Sequence, residues 1–373
     1  ASDEDSTTFP STSGQLVLAD YLTEELRMIG VADAQRDLNG YVYGHIPATP
    51  GFENEPVIGL IAHMDTSPDA PGENVNPKIV KYDGKNLPMI DDRYIGEDMI
   101  VSDGTTLLGA DDKAGVAEIV SACERLINGE VNHGAVSICF TPDEEIGSGA
   151  DRFDYELFAA DFAYTVDGGE LGGIEYENFN AAAVRLNVYG LNTHPGSAKG
   201  KMRNAALYLN EFISMLPDAE TPAHTEGREG FYHVSYVNGT ESKAELHMII
   251  RDHDREKFEG RKLFVSRLAA YLNDKYGDGT FSLQITDSYY NMREIIEKHM
   301  EIVERAKEAM LANGVEPVIT AIRGGTDGAR LSFEGLPCPD ISTGGMNYHS
   351  IYEAIPVSAL GKMTDIIVKI VEA

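Results

Sequence analysis

The chain has 373 residues, 42% of them apolar and 24% charged, which excludes a disordered chain and leaves room for two domains with a large core and no need of disulfides. Acidic residues number 61 against 30 basic ones, a formal net charge of −31, and such a surface repels phosphate backbones, which argues against nucleic acid as a partner. No uninterrupted apolar run of about 18 residues occurs, so no membrane span is expected.

Taken in chain order, residues 15–28 carry a helical stripe through Leu16, Leu18, Leu22, Leu26 and Met28. The short apolar run 57–62 reads as a buried strand, 111–128 as a helix, and 135–141 and Phe162–Val166 as further strands. This alternation predicts a mixed, mostly parallel sheet with helices on both faces. The middle of the chain reads differently. A strand at 182–189, a helix at 204–216, and two strands at 230–237 and 244–252 joined by a turn at Asn238-Gly239 come first. A helix at 254–276 and a strand at 280–287 follow. The order βαββαβ is the split, ferredoxin-like arrangement. An inserted α+β domain is therefore expected at 180–290, with 1–179 and 291–373 forming one α/β domain around it. Beyond the insertion come one long helix at 292–313, strand signals at Val318–Ile322 and 340–342, and a last helix, Val357–Val371, with Pro356 as its first residue.

Cys123, Cys139 and Cys338 include no CxxC pair and read as buried free thiols in a reducing compartment. The first residues have no apolar leader pattern. A cytoplasmic location is expected.

Five polar clusters follow apolar strand candidates or open helices: His63-Met64-Asp65, Gly109-Ala110-Asp111-Asp112-Lys113, Asp143-Glu144-Glu145, Asp167-Gly168-Gly169 and Tyr348-His349. In open α/β sheets the ligand site lies at the carboxyl ends of strands, where these clusters would converge. Their imidazoles and carboxylates suit zinc, cobalt or manganese. Adjacent acids such as Asp143-Glu144-Glu145 repel one another at a strand end unless a cation sits there. Singly, each cluster has an ordinary structural explanation, such as a cap or a solvated acidic pair; their joint placement points to metal chemistry. The chain has no G-x-S-x-G elbow, P-loop, dinucleotide fingerprint or H-E-x-x-H.

With the residues assembled, the segments 63–69 (HMDTSPD), 107–115 (LLGADDKAG) and 141–147 (TPDEEIG) resemble the metal motifs of the peptidase T family. Its members are tripeptide aminopeptidases among the dinuclear-zinc exopeptidases. The segments 167–172 (DGGELG) and 191–196 (LNTHPG) fit the same pattern, and the resemblance runs from about Pro10 onward. One departure is expected: the helix such enzymes carry before the first strand is missing, or lies upstream of Ala1.

The resemblance implies two zinc ions, with cobalt or manganese as substitutes. His63 and Asp167 would bind one ion, Glu145 and His349 the other, and Asp111 would bridge them. Asp65 would orient His63, Glu144 would be the general base, and His194 in the inserted domain would stabilise the oxyanion. Asn204, Arg251 and Arg323 would position the substrate, an Arg being suited to grip a peptide carboxylate. The inserted domain would act as a lid and a homodimer interface. Short peptides are the expected substrates. The alternatives are a related dipeptidase or acyl-amino-acid deacylase, or a non-catalytic acidic binding protein on this fold, which would keep the shape but lose a ligand or Glu144.

Overall fold

A computed structural model describes residues 1–373. They form two compact units: 1–176 with 292–320 and 326–373, and 177–291 with 321–325.

The first unit is built on an eight-stranded sheet in the order Gln35–Arg36, Val42–Ile46, Val136–Thr141, Ile58–His63, Phe162–Val166, Asp340–Ile341, Gly173–Asn178, Val318–Ile322. Its four central strands, from Val136–Thr141 to Asp340–Ile341, run parallel. Ile58–His63 and Val136–Thr141 are buried at every residue, as expected where helices cover both faces. The helix Ala110–Ile127 packs on this sheet, and the helix Val357–Val371 packs against that helix. Gly115 brings the first of them close in: a Cβ there would lie 2.0 Å from the carbonyl oxygen of Val166. No helix is long and apolar enough to cross a membrane. All three cysteines are buried free thiols.

The second unit is a four-stranded antiparallel sheet ordered Phe231–Gly239, Lys243–Asp252, Asn180–Tyr189, Phe281–Tyr289. Along Lys243–Asp252 burial alternates, so one face carries the core with the helices Ala205–Ser214 and Arg255–Tyr276, and the other meets solvent.

Four expectations need correction. The long helix at 292–313 is two helices, Arg293–Ile296 and Met300–Ala312. Its buried positions run Met292, Ile296, then Ile302, Val303 and Ala306, so the polar stretch Glu297-Lys298-His299 interrupts the stripe, and a break at His299 rephases it. The hairpin turn lies at 240–242, where the Thr240 N–H donates to the Lys243 carbonyl. Gly239 is still in the strand, because a Cβ there would sit 2.7 Å from that of Ala244 across the ladder. Pro356 closes the strand Ala354–Pro356 and caps the last helix from outside. A helix, Ser13–Ile29, does precede the first strand. That strand pattern also missed a small antiparallel sheet of Lys78–Lys81, Asp98–Val101 and Ala354–Pro356.

Candidate metal centre

The carboxyl ends of three adjacent parallel strands deliver most of the site. Ile58–His63 ends on His63 itself, Val136–Thr141 leads into the 3₁₀ turn Glu144–Ile146, and Phe162–Val166 ends one residue before Asp167. Asp111 enters from the start of Ala110–Ile127, where its φ of −89° and ψ of 100° leave the helix. His349 comes from a loop, held at φ 58°.

These side chains form two donor sets that share one member. His63, Asp111 and Asp167 place ligand atoms within 4.8 Å of one another, as do Asp111, Glu145 and His349. The two oxygens of Asp111 face opposite ways. Oδ1 lies 2.8 Å from His63 Nε2, and Oδ2 lies 3.4 Å from His349 Nε2. His349 Nε2 is also 3.1 Å from Glu145 Oε2, and His63 Nε2 is 3.6 Å from Asp167 Oδ1. Asp167 Oδ1 and Glu145 Oε1 are buried with no hydrogen-bond partner. Buried carboxylate oxygens left without a partner beside two imidazoles are what a pair of divalent cations would satisfy, and the N/O set suits zinc.

The electrostatics match. Burial disfavours charge on His63, but the carboxylates of Asp167, Asp111 and Asp65 outweigh it and hold its proton well above the usual histidine range. Hydrogen bonding to Asp111 and Glu145 pushes His349 up to about 11. Burial, with the charge of Asp111, raises Asp167 to about 6. Burial also raises Glu144 well above the carboxylate range, and its carboxylate has no hydrogen bond or ion pair within the protein. Asp112 faces inward instead, accepting from the His63 and Gly115 N–H groups at 2.9 and 3.2 Å.

Asp65 ties the two sides together. Its Oδ1 lies 3.3 Å from His63 Nδ1, and its carboxylate accepts the N–H groups of Glu144 and Glu145, each at 3.1 Å. A carboxylate behind a liganding histidine fixes ring orientation and tautomer.

Comparison with known proteins finds relatives over the whole chain. Residues 176–280 match the peptidase dimerisation domain. Over its whole length the chain is 53% identical to peptidase T of Caldanaerobacter subterraneus, covering 94% of that protein, and 54% identical to peptidase T of Clostridium novyi, covering 95%. The chain belongs to the peptidase T family. The aminopeptidase PepT of Bacillus cereus superposes with a TM-score of 0.79 at 25% identity, over 95% of this chain and 91% of that one. A dinuclear metal-binding M20-family peptidase of Bacillus subtilis shares the fold, with a TM-score of 0.67 at 17% identity, over 96% of this chain and 91% of that one.

The other four candidates of this peptidase T chain lie in the second unit. His194 opens the 3₁₀ turn Pro195–Ser197, and its Nδ1 accepts the Gly196 N–H at 3.1 Å. Asn204 caps the helix Ala205–Ser214 by accepting from the Leu207 N–H. Arg251 makes no ion pair; Asp252 pairs with Arg261 at 2.8 Å instead. Its Nη1 donates to the Arg323 carbonyl at 3.0 Å, and its buried Nε has no partner. The guanidinium of Arg323 is held by oxygens of Thr225, Gly227 and Glu229.

Two residues escaped the sequence reading. Glu353 is 1% exposed, and its carboxylate accepts the N–H groups of Leu108, Gly109 and Asp111 at 2.7–2.9 Å, so it fixes the backbone that presents Asp111, the carboxylate common to both donor sets. Asp69 lies 3.3 Å from His349 Nδ1, on the ring nitrogen opposite the donor set. A Glu four residues after His349 was the only trace of the first, and the close of the HMDTSPD motif the only trace of the second.

Proposed function

We propose that the chain is a tripeptide aminopeptidase that holds two zinc ions between His63, Asp111, Asp167, Glu145 and His349 and uses Glu144 as general base. The observation that carries this reading is the single carboxylate of Asp111 facing two donor sets at once, in a chain more than half identical to peptidases T.

When bound, two divalent ions polarise a scissile carbonyl and lower the pKa of the attacking water. The rest falls to the chain. Glu144 takes the proton of that water and passes it to the leaving amine. Asp65 holds the His63 ring and the backbone of the Glu144 turn in one frame. His194 has Nδ1 engaged as an acceptor, so its neutral ring carries its proton on Nε2, a donor available to a developing oxyanion. His194→Ala should therefore lower kcat while the protein keeps both metals; normal turnover in that variant would remove the role. Of the two arginines we assign the peptide carboxylate to Arg251, because its Nε has no hydrogen-bond partner.

The test of function is a panel of di-, tri- and tetrapeptides and N-acyl amino acids. Tripeptides with a free amine and a free carboxylate should be cleaved best, and amidating the C-terminus should raise KM. Better turnover of dipeptides or N-acyl amino acids would reassign the chain to the related dipeptidases or deacylases. The matched dimerisation domain supports a homodimer through the second unit; sedimentation should give twice the chain mass, and a monomer at assay concentration would refute it.

A further inference from the structure

We infer that Gln15, on the helix Ser13–Ile29, is a positioning residue for the general-base turn: with Ser11 it locks Asp143, and through Asp143 it sets where Glu144 and Glu145 project. The inference rests on the reading of Glu144 as the base.

Asp143 directly precedes Glu144 and stands at φ 57°, a region that residues other than glycine enter at a cost. What holds it there comes from the far N-terminal part of the chain. One carboxylate oxygen, Oδ1, accepts from Ser11 Oγ at 2.5 Å and from Gln15 Nε2 at 2.6 Å. The other, Oδ2, accepts the Ser11 N–H at 2.6 Å. In return the Asp143 N–H donates to Gln15 Oε1 at 3.0 Å. The carboxamide of Gln15 is thus used at both ends, which fixes its orientation, and all three residues are buried.

This arrangement has two effects on the site. First, the turn is suspended between two carboxylates: Asp65 accepts the N–H groups of Glu144 and Glu145 on one side, and Asp143 anchors the turn on the other. A turn with only one anchor can pivot about it, and an error of about 1 Å at a catalytic group costs about 10²-fold in rate. Second, Asp143-Glu144-Glu145 is a run of three acids beside a cation site. Three donors on the carboxylate of Asp143 satisfy it internally, so it does not compete with Glu145 for metal.

The experiment uses the holoenzyme. Gln15→Ala should lower kcat by about tenfold to 10²-fold and leave KM for a tripeptide within about a factor of two. Asp143→Ala should lose at least as much, and the double variant should lose clearly less than the product of the two single losses, because both single variants remove the same bond from Gln15 Nε2 to Asp143 Oδ1. If Asp143→Ala fails to fold, Asp143→Gly, which adopts a φ near +57° without strain, takes its place. A Gln15→Ala enzyme with wild-type kcat, or a double variant whose loss is the product of the two single losses, would overturn the inference. A purely structural role would lower the melting temperature and leave kcat per folded, metal-loaded molecule unchanged. Glu144→Gln, assayed alongside, separates the two readings: if it turns over normally the base is elsewhere, whereas if it is inactive and Gln15→Ala is normal only the clamp is wrong.

Discussion

Glu144→Gln is expected to lower turnover by ~10²–10⁴-fold, the usual range for loss of a proton-transfer group, while both metals stay bound. The reason is local. The Glu144 carboxylate has no partner inside the protein, so an amide of the same shape disturbs no existing contact. The bonds that place the turn run from Asp65 to the backbone N–H groups of Glu144 and Glu145, and the substitution leaves them intact. Only the capacity to accept a proton is lost. Glu145→Gln should behave differently, because Glu145 faces His349 at 3.1 Å as part of a donor set; that variant should lose one metal of the two. Steady-state kinetics with metal analysis on the same samples distinguishes them. Wild-type turnover in Glu144→Gln would move the base to another residue.

Removing the metals should abolish activity altogether, and zinc or cobalt should restore it. Asp111→Ala should do the same irreversibly, since it takes a ligand from both donor sets at once. Reloading should also release protons. In the metal-free centre the carboxylates around them hold His63 and His349 above the ordinary histidine range, and a divalent ion must displace those protons to reach the ring nitrogens. Apparent metal affinity should therefore weaken as pH falls. Calorimetry in buffers of different ionisation enthalpy would measure the release. Full turnover in a verified metal-free sample would defeat the metal-dependent mechanism.

The parallel core was legible because its strands are buried on both faces, so Ile58–His63 and Val136–Thr141 appear as unbroken apolar runs. Val42–Ile46 was not, because Gly44 and His45 interrupt its apolar pattern. The glycine is there for packing: a Cβ at Gly44 would meet Val31 at 2.8 Å. Short edge strands such as Lys78–Lys81, largely exposed, leave almost no periodic signal. At the site, most donors could be found because they sit at or just past a strand end or at a helix start; His349, in a loop, was found from its place after the Gly344-Gly345 pair. The residues that hold the donors could not. Glu353 acts on backbone N–H groups more than 240 positions away, and Gln15 on a residue 128 positions away. The Glu353 bonds go to the main chain and impose no residue type on the partner, and the Gln15–Asp143 pair lies too far apart in sequence for any local pattern to announce it.

Gly115 carries no functional group, yet its contact with Val166 reaches into the chemistry. The helix it belongs to begins at Ala110 and presents Asp111, and the strand it touches ends one residue before Asp167. Even a methyl group at 115 would collide with the Val166 carbonyl at 2.0 Å and with the Asp112 carboxylate at 2.5 Å, so it would force the helix outward and pull apart two donors of the same set. A survey of tolerated amino acids along the chain would therefore rank this glycine with the ligands themselves, although no assay of proton transfer or metal exchange would ever detect it taking part.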